Sequence, residues 1–492
     1  MTQYILKNVL NLIESNMAPK EAEKKEFGEV FTPLFLVEEM LEHLPTSMWL
    51  NKGLKWYDPS SGIGIFAIII YYKLFSGLKH IIFNSKERSK WIIENMLYLN
   101  ELNPANVFKT KQIFELINPD AKLNIICSDF LLEKRDIEKY NIIVGNPPYN
   151  KSRLNGTFES SLYPQFVVKA LTMLSNDGKL LFITPSRWFS GGNGLNDFKN
   201  YMLKRNDIVL IKHYDNSKTI WPTVDIAGGI NYFLIDLNLN LNMNNSNNGL
   251  THFIDAASGK TSDINLNTYD ILVQNVDAYS MINRVLKEKL SSISSPFANP
   301  STFQGKRGIS EIYLSTKYFG INTNSEHFLN ANESEPDNEP DKEPDNEPDK
   351  EPDNASLSLT LIKCYVSKKK GSIKYIDAVW IKNPYNFWKV FSPQACGKIN
   401  DGFKTLIIGS PDEIASQTFF TFKVNSLDEA CSLKSYLETD YANFMLKLRK
   451  IDHHINKNTL EWILLPPLNQ IWTNDSINSF FGLTKREINA MN

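Results

Sequence analysis

"WYDPSSGIGIFAIIIYYKLF", residues 56–75, joins a short β-type run to a long apolar helix through a turn that carries Gly62 and Gly64. An acid, Asp58, closes the run just ahead of the turn. Such a turn lets backbone approach a nucleotide-like ligand, and the helix that follows opens with unpaired N–H donors. The segment lacks the full G-x-G-x-x-G pattern and the G-K-[ST] ending of a phosphate loop, so neither NAD nor ATP is indicated. Taken alone, it fits a tight strand-to-helix turn with no ligand equally well.

Further runs of the same kind follow: "MLYLNELNP" (96–104), "LNIICSDF" (123–130), "YNIIVGNPPY" (140–149), "GKLLFITPS" (178–186) and "IVLIKHYD" (208–215). Amphipathic stretches separate them, which predicts a parallel sheet with helices on both faces: a doubly wound, Rossmann-like α/β domain. Beyond about residue 295 the texture changes. "IKYIDAVWIKNPYNFWKVFSP" (373–393) and "TLIIGSPDEIASQTFFTFKV" (405–424) are aromatic-rich and turn-punctuated, without β-α alternation. The division expected is 1–292 for the α/β domain and 293–492 for an α+β domain.

The chain has 492 residues, 42% hydrophobic and 22% charged, which predicts a folded multidomain protein. No run of about twenty uncharged apolar residues and no cleavable leader is present, so an intracellular protein is expected. Cys127, Cys364, Cys396 and Cys431 have no paired spacing, and the adjacent His453 and His454 would not point at one ion; no metal is expected. The net charge of −2 hides "EPDNEPDKEPDNEPDKEPDN" (335–354), which alone carries −8 and leaves +6 for the rest. With no apolar residue to bury, that tract reads as a solvated insertion spanning 333–355.

Asp58, Glu101 and Asp129 each stand at the end of a predicted strand. In a parallel sheet such ends line one crevice, and three carboxylates there suit a ligand with a sugar, an amino-bearing base and a positive centre. Next comes "NPPY". Asn146 offers a side-chain carbonyl, the proline-stiffened turn fixes the Pro147 carbonyl, and Tyr149 supplies a flat face. Two fixed acceptors suit a planar exocyclic amine, whose lone pair they turn toward an electrophile while its ring stacks on tyrosine.

These residues resemble the N6-adenine DNA methyltransferases that use S-adenosylmethionine. "FGEVFTPLFLVEEML" (27–41) is similar to the segment that closes over the methionine end of the cofactor in that family. "SLYPQFVVKAL" (161–171), "GKLLFITPSRWF" (178–189) and "TVDIAGGINYFLI" (223–235) resemble later elements, in the order of the gamma class. The resemblance implies that Thr32 and Pro33 contact methionine, and that Asp58, Pro59, Ser60 and Gly62 form the cofactor turn. It further implies that Glu101 holds the ribose, that Asp129 and Phe130 hold the cofactor's adenine, and that Asn146, Pro147, Pro148 and Tyr149 hold the target base. Tyr232 or Phe233 would stack from the other side, the register between them being open. Glu101 lies further from Asp58 than the roughly 20 residues usual in a βαβ unit, so "LKHIIFNSKERSKWIIENM" (78–96) is expected to add a helix.

Residues 293–492 are then expected to recognise double-stranded DNA. Lys306 and Arg307 in "FQGKRGISEIY", with Lys368, Lys369 and Lys370 in "YVSKKKGSIKY", are candidate phosphate contacts, and a merely solvated charged face stands beside that reading. A companion restriction endonuclease is the expected functional partner. Methyl transfer to RNA, to a protein glutamine or to cytosine N4 remains an alternative, as does an inactive DNA-binding subunit.

Overall fold

In a computed structural model, residues 31–133, 139–150, 161–241, 249–279, 281–282, 307–322, 324–329, 360–366, 373–395, 401–450 and 454–491 are described. The chain forms two compact units, Met1–Val276 and Asp277–Asn492, so the division comes ahead of the expected 292/293.

The first unit is built on nine strands: β1 (Trp56–Asp58), β2 (Leu97–Glu101), β3 (Asn124–Cys127), β4 (Tyr140–Gly145), β5 (Leu174–Pro185), β6 (Ile208–Tyr214), β7 (Ile230–Asp236), β8 (Thr251–Asp255) and β9 (Thr261–Ile264). Their order across the sheet is β3-β2-β1-β4-β5-β7-β6-β8-β9. The first five in that order are mutually parallel, and β7 runs antiparallel between β5 and β6. The six runs picked out in the sequence are β1 to β6.

Side chains alternate across the sheet, and both faces are covered. Trp56, Ile142, Val144, Leu181 and Ile183 share one core with the helices Leu34–Glu42, Ile65–Gly77 and Pro104–Ile117. On the other face Tyr57 stacks on Tyr140 at 4.4 Å, and Phe130 packs between Tyr57 and Phe166 of the helix Tyr163–Thr172. Burial on both sides explains why β4 reads as a continuous apolar run instead of an alternating one.

The crossover from β1 to β2 contains the expected extra helix, Ser85–Trp91, started by Asn84, whose side chain accepts from the Lys86 and Glu87 N–H groups. β2 still lands beside β1, with Asp58 opposite Leu99. The chain works outward from β1 through β2 to β3, then crosses to β4 on the other side of β1. A doubly wound sheet opens a crevice at that reversal, outside the carboxyl ends of β1 and β4. The glycine turn and the NPPY turn are the segments that leave those two ends.

The second unit is α+β. Four strands, Tyr313–Leu314, Phe419–Val424, Trp388–Pro393 and Ile407–Gly409, make one sheet, and Phe328–Leu329, Ile373–Asp377, Leu361–Tyr365 and Glu413–Ala415 make another. The helices Leu427–Leu437 and Asp440–Arg449 follow. No helix among the described residues is long and apolar enough to cross a membrane.

Candidate active site

The ends of β1, β2 and β3 are tied together by hydrogen bonds to side chains of the β2 end. Glu101 accepts from the Gly62 N–H at 2.7 Å and from the Asn103 N–H at 2.8 Å. Beside it, buried Asn100 donates to the Pro59 carbonyl at 3.2 Å and the Ser128 carbonyl at 3.0 Å, and accepts from the Ser128 hydroxyl at 2.7 Å. Asp129 caps its own loop by accepting from the Leu131 N–H at 2.9 Å. Lys169 closes that loop from the helix Tyr163–Thr172, donating to the carbonyls of Phe130, Leu131 and Glu133 with its ammonium 4.9 Å from the Phe130 ring centre.

Asp58 sits beneath the turn, almost wholly buried. One carboxylate oxygen accepts from the Ser60 N–H at 3.0 Å; the other has no hydrogen-bond partner among the described residues. Burial pushes its carboxyl up to about 8, against the Ser60 N–H bond and with the help of the nearby Glu101 charge. A buried, half-satisfied carboxyl is unfavourable by itself and suits a site that a cationic group completes.

β4 delivers Asn146 to the same crevice. The Ser60 hydroxyl donates to the Asn146 backbone carbonyl at 3.2 Å, so the two turns are directly joined. Tyr149 lies against the core of the first face, its phenol held un-ionised by burial and close to the Asn146 side chain. Its carbonyl accepts from the Leu162 N–H at 2.9 Å, and an Asn150–Ser161 bridge pairs the same two segments.

Gly145, the last residue of β4, passes so near β1 that a Cβ there would lie 2.8 Å from Asp58 Oδ1. Gly145→Ala is therefore expected to displace Asp58 and to cost about 1–3 kcal/mol of stability. Thermal melting with and without cofactor checks this, and an unchanged melting temperature would refute the close approach.

One cavity is lined by Thr32, Pro59, Ser60, Gly62, Glu101, Asp129 and Phe130 together with Asn146, Pro147, Pro148 and Tyr149. Pro33 stands back from it and starts the helix Leu34–Glu42, its carbonyl accepting from the Leu36 and Val37 N–H groups. Phe31, Asn100, Ser128 and Phe166 also line the cavity and were not picked out in the sequence. Phe31 is held by the Trp221 indole, which donates to its carbonyl at 2.8 Å.

Tyr232 and Phe233 are a correction. Both have no exposed surface, since β7 is an interior strand and each face of the sheet is covered. The Tyr232 hydroxyl donates to Glu39 at 2.7 Å and meets His43 at 2.9 Å, while Phe233 pairs with Phe182 of β5. Neither offers a face to a base. Lys306, Lys368, Lys369, Lys370 and the 333–355 insertion lie outside the described residues, as does the Arg307 side chain.

This strand order, with an antiparallel β7 and the crevice between β1 and β4, is a doubly wound α/β fold. Residues 46–221 match the family model of the Eco57I restriction-modification methylase. An uncharacterized adenine-specific methylase of Mycoplasma pneumoniae is 25% identical over 282 residues, covering 42% of this chain and 66% of that protein. The type II methyltransferase M.AccI of Acinetobacter calcoaceticus is 27% identical over 210 residues, covering 41% of this chain and 36% of that protein. The chain thus spans less than two thirds of the length of either relative. Among solved structures, the DrdV–DNA complex is 11% identical with a TM-score of 0.46, covering 94% of this chain and 58% of that one.

Proposed function

We propose that this chain is a site-specific DNA methyltransferase that moves a methyl group from S-adenosylmethionine to the N6 amine of an adenine rotated out of duplex DNA, within a restriction-modification system. The observation that carries the reading is that the NPPY turn, the acids Glu101 and Asp129 and the Pro59–Gly62 turn above buried Asp58 meet at one cavity, joined through the Ser60–Asn146 hydrogen bond.

The residues fit the cofactor. The unbonded, buried oxygen of Asp58 suits the ammonium of its methionine part, with Thr32 and Pro33 alongside. Glu101 would take the ribose hydroxyls, and Asp129 with Phe130 the adenine. When bound, S-adenosylmethionine supplies a methyl group on a positively charged sulfur. Asn146 and the Pro147 carbonyl would accept from the two protons of the target amine and aim its lone pair at that methyl.

Extruding the base costs a few kcal/mol, and stacking on Tyr149 returns about 1–3 kcal/mol. Since Tyr232 and Phe233 are enclosed, the balance falls to contacts with the DNA backbone and to the second unit, which we assign to target recognition. Expression in a bacterial host lacking adenine methylation, followed by single-molecule sequencing of its DNA, tests this. Methylated adenines confined to one short motif are expected, and unmodified host DNA would overturn the proposal.

A further inference from the structure

The helix Leu34–Glu42 follows Phe31 and Thr32, which belong to the cavity wall, and it is fastened to the sheet in two different ways. Leu36, Val37, Met40 and Leu41 bury an apolar stripe in the core of the first face. Contact of that kind holds the helix down but has no direction, so it tolerates a slide or a rotation. Glu39, beside the stripe, supplies the direction.

Lys212 and Tyr214 lie two residues apart on β6, and Tyr232 is opposite Lys212 on β7, so all three project from one face of the sheet. They converge on a single oxygen. Glu39 Oε1 accepts from the Tyr214 hydroxyl at 2.6 Å, the Tyr232 hydroxyl at 2.7 Å and the Lys212 ammonium at 2.8 Å. His43 Nε2, one turn further along the helix, meets the Tyr232 hydroxyl at 2.9 Å. Against its partial burial, these donors hold the Glu39 carboxyl below the usual carboxylate range, so it is charged at neutral pH. Hydrogen bonds to an ionised acceptor are strong and depend on geometry, and three of them from two strands fix where the helix sits.

The start of the segment is tied to the same part of the fold. Trp221, beyond the end of β6, donates its indole N–H to the Phe31 carbonyl at 2.8 Å. The Phe31 ring reaches the glycine turn, since a Cβ on Gly62 would lie 3.1 Å from it. The Gly62 N–H is in turn held by Glu101 at 2.7 Å. A shift of the helix would therefore move one wall of the cavity against the other, although Glu39 itself does not line it.

We infer that Glu39 is a positioning residue for the cofactor: it locks the helix Leu34–Glu42 in register on β6 and β7, and so holds Phe31 and Thr32 against the Gly62 turn. This rests on the S-adenosylmethionine reading above.

The test measures S-adenosylmethionine affinity of the full chain by calorimetry, with single-turnover methyl transfer at saturating cofactor and thermal melting alongside. Glu39→Ala is expected to weaken cofactor binding about tenfold, with the rate at saturation within about twofold of wild type. Glu39→Gln keeps an acceptor for both hydroxyls and is expected to bind within about threefold of wild type. Tyr214→Phe removes one donor, is expected to cost about threefold, and carries the test should Glu39→Ala fail to fold. Coupling separates positioning from mere stability: in a Phe31→Ala background, Glu39→Ala is expected to add only about twofold. Wild-type cofactor affinity in both Glu39→Ala and Tyr214→Phe, or an undiminished tenfold loss in the Phe31→Ala background, would overturn the role of Glu39 while leaving the cofactor reading intact. A wild-type chain that binds no S-adenosylmethionine would overturn both.

Discussion

Asn146→Ala should lower kcat for methyl transfer to DNA by about 10²–10³-fold and leave S-adenosylmethionine affinity within about twofold. The selectivity follows from which atoms Asn146 commits to which task. Its backbone carbonyl takes the Ser60 hydroxyl, and alanine keeps that carbonyl, so the cofactor turn stays in place. Asn146 lines the cavity with Pro147 and Tyr149, and alanine removes the side-chain acceptor that would hold the amine. Single-turnover rates at saturating cofactor, with cofactor binding measured by calorimetry, separate the two. Equal loss of cofactor binding and rate would mean that Asn146 supports the turn and does not face the base.

Asp58→Asn is expected to raise the stability of the ligand-free chain and to weaken S-adenosylmethionine binding about 10- to 100-fold. Burial pushes this carboxyl up to about 8, from an ordinary value near 4. The folded state therefore holds the proton more tightly than the unfolded state. Its contribution to stability is full below about pH 4 and is lost as pH rises toward 8, each tenfold difference in proton affinity being worth about 1.4 kcal/mol. Asparagine carries no charge at any pH and escapes the loss. The gain in melting temperature should accordingly be near zero at pH 4 and grow to its largest at pH 8. A gain independent of pH, or cofactor binding equal to wild type, would contradict the placement of Asp58 under the turn.

Much of this site was legible in the sequence because the signals are local. β1, β2 and β4 are short apolar runs that end on Asp58, Glu101 and Gly145, β3 is followed directly by the Ser128–Asp129 pair, and a sheet wound outward from β1 and back through β4 gathers those ends. The extra helix between Asp58 and Glu101 was visible too, since it is a surface addition that leaves β2 beside β1.

What escaped the sequence is non-local. Asn100 is one more polar residue beside a glutamate until Pro59 and Ser128, 41 and 28 positions away, turn out to be its partners. Lys169 reads as a helix-surface lysine, yet it gathers three carbonyls of the loop after β3. Tyr232 failed for a related reason. An aromatic in an "INYF" run can reach a ligand only where its face of the sheet is open, and both Tyr232 and Phe233 are fully enclosed, with Glu39 and His43 at the Tyr232 hydroxyl.

The central claim, that one rigid turn presents a nucleobase amine to a sulfonium methyl, is tested most directly by label transfer. Purified chain is incubated with S-adenosylmethionine tritiated in the methyl group and with duplex DNA, RNA and total protein in parallel, and the products are hydrolysed and resolved. The account predicts tritium in N6-methyladenine from DNA, absent with Asn146→Ala. Label in cytosine, guanine or glutamine, or the same N6-methyladenine yield from Asn146→Ala, would contradict it.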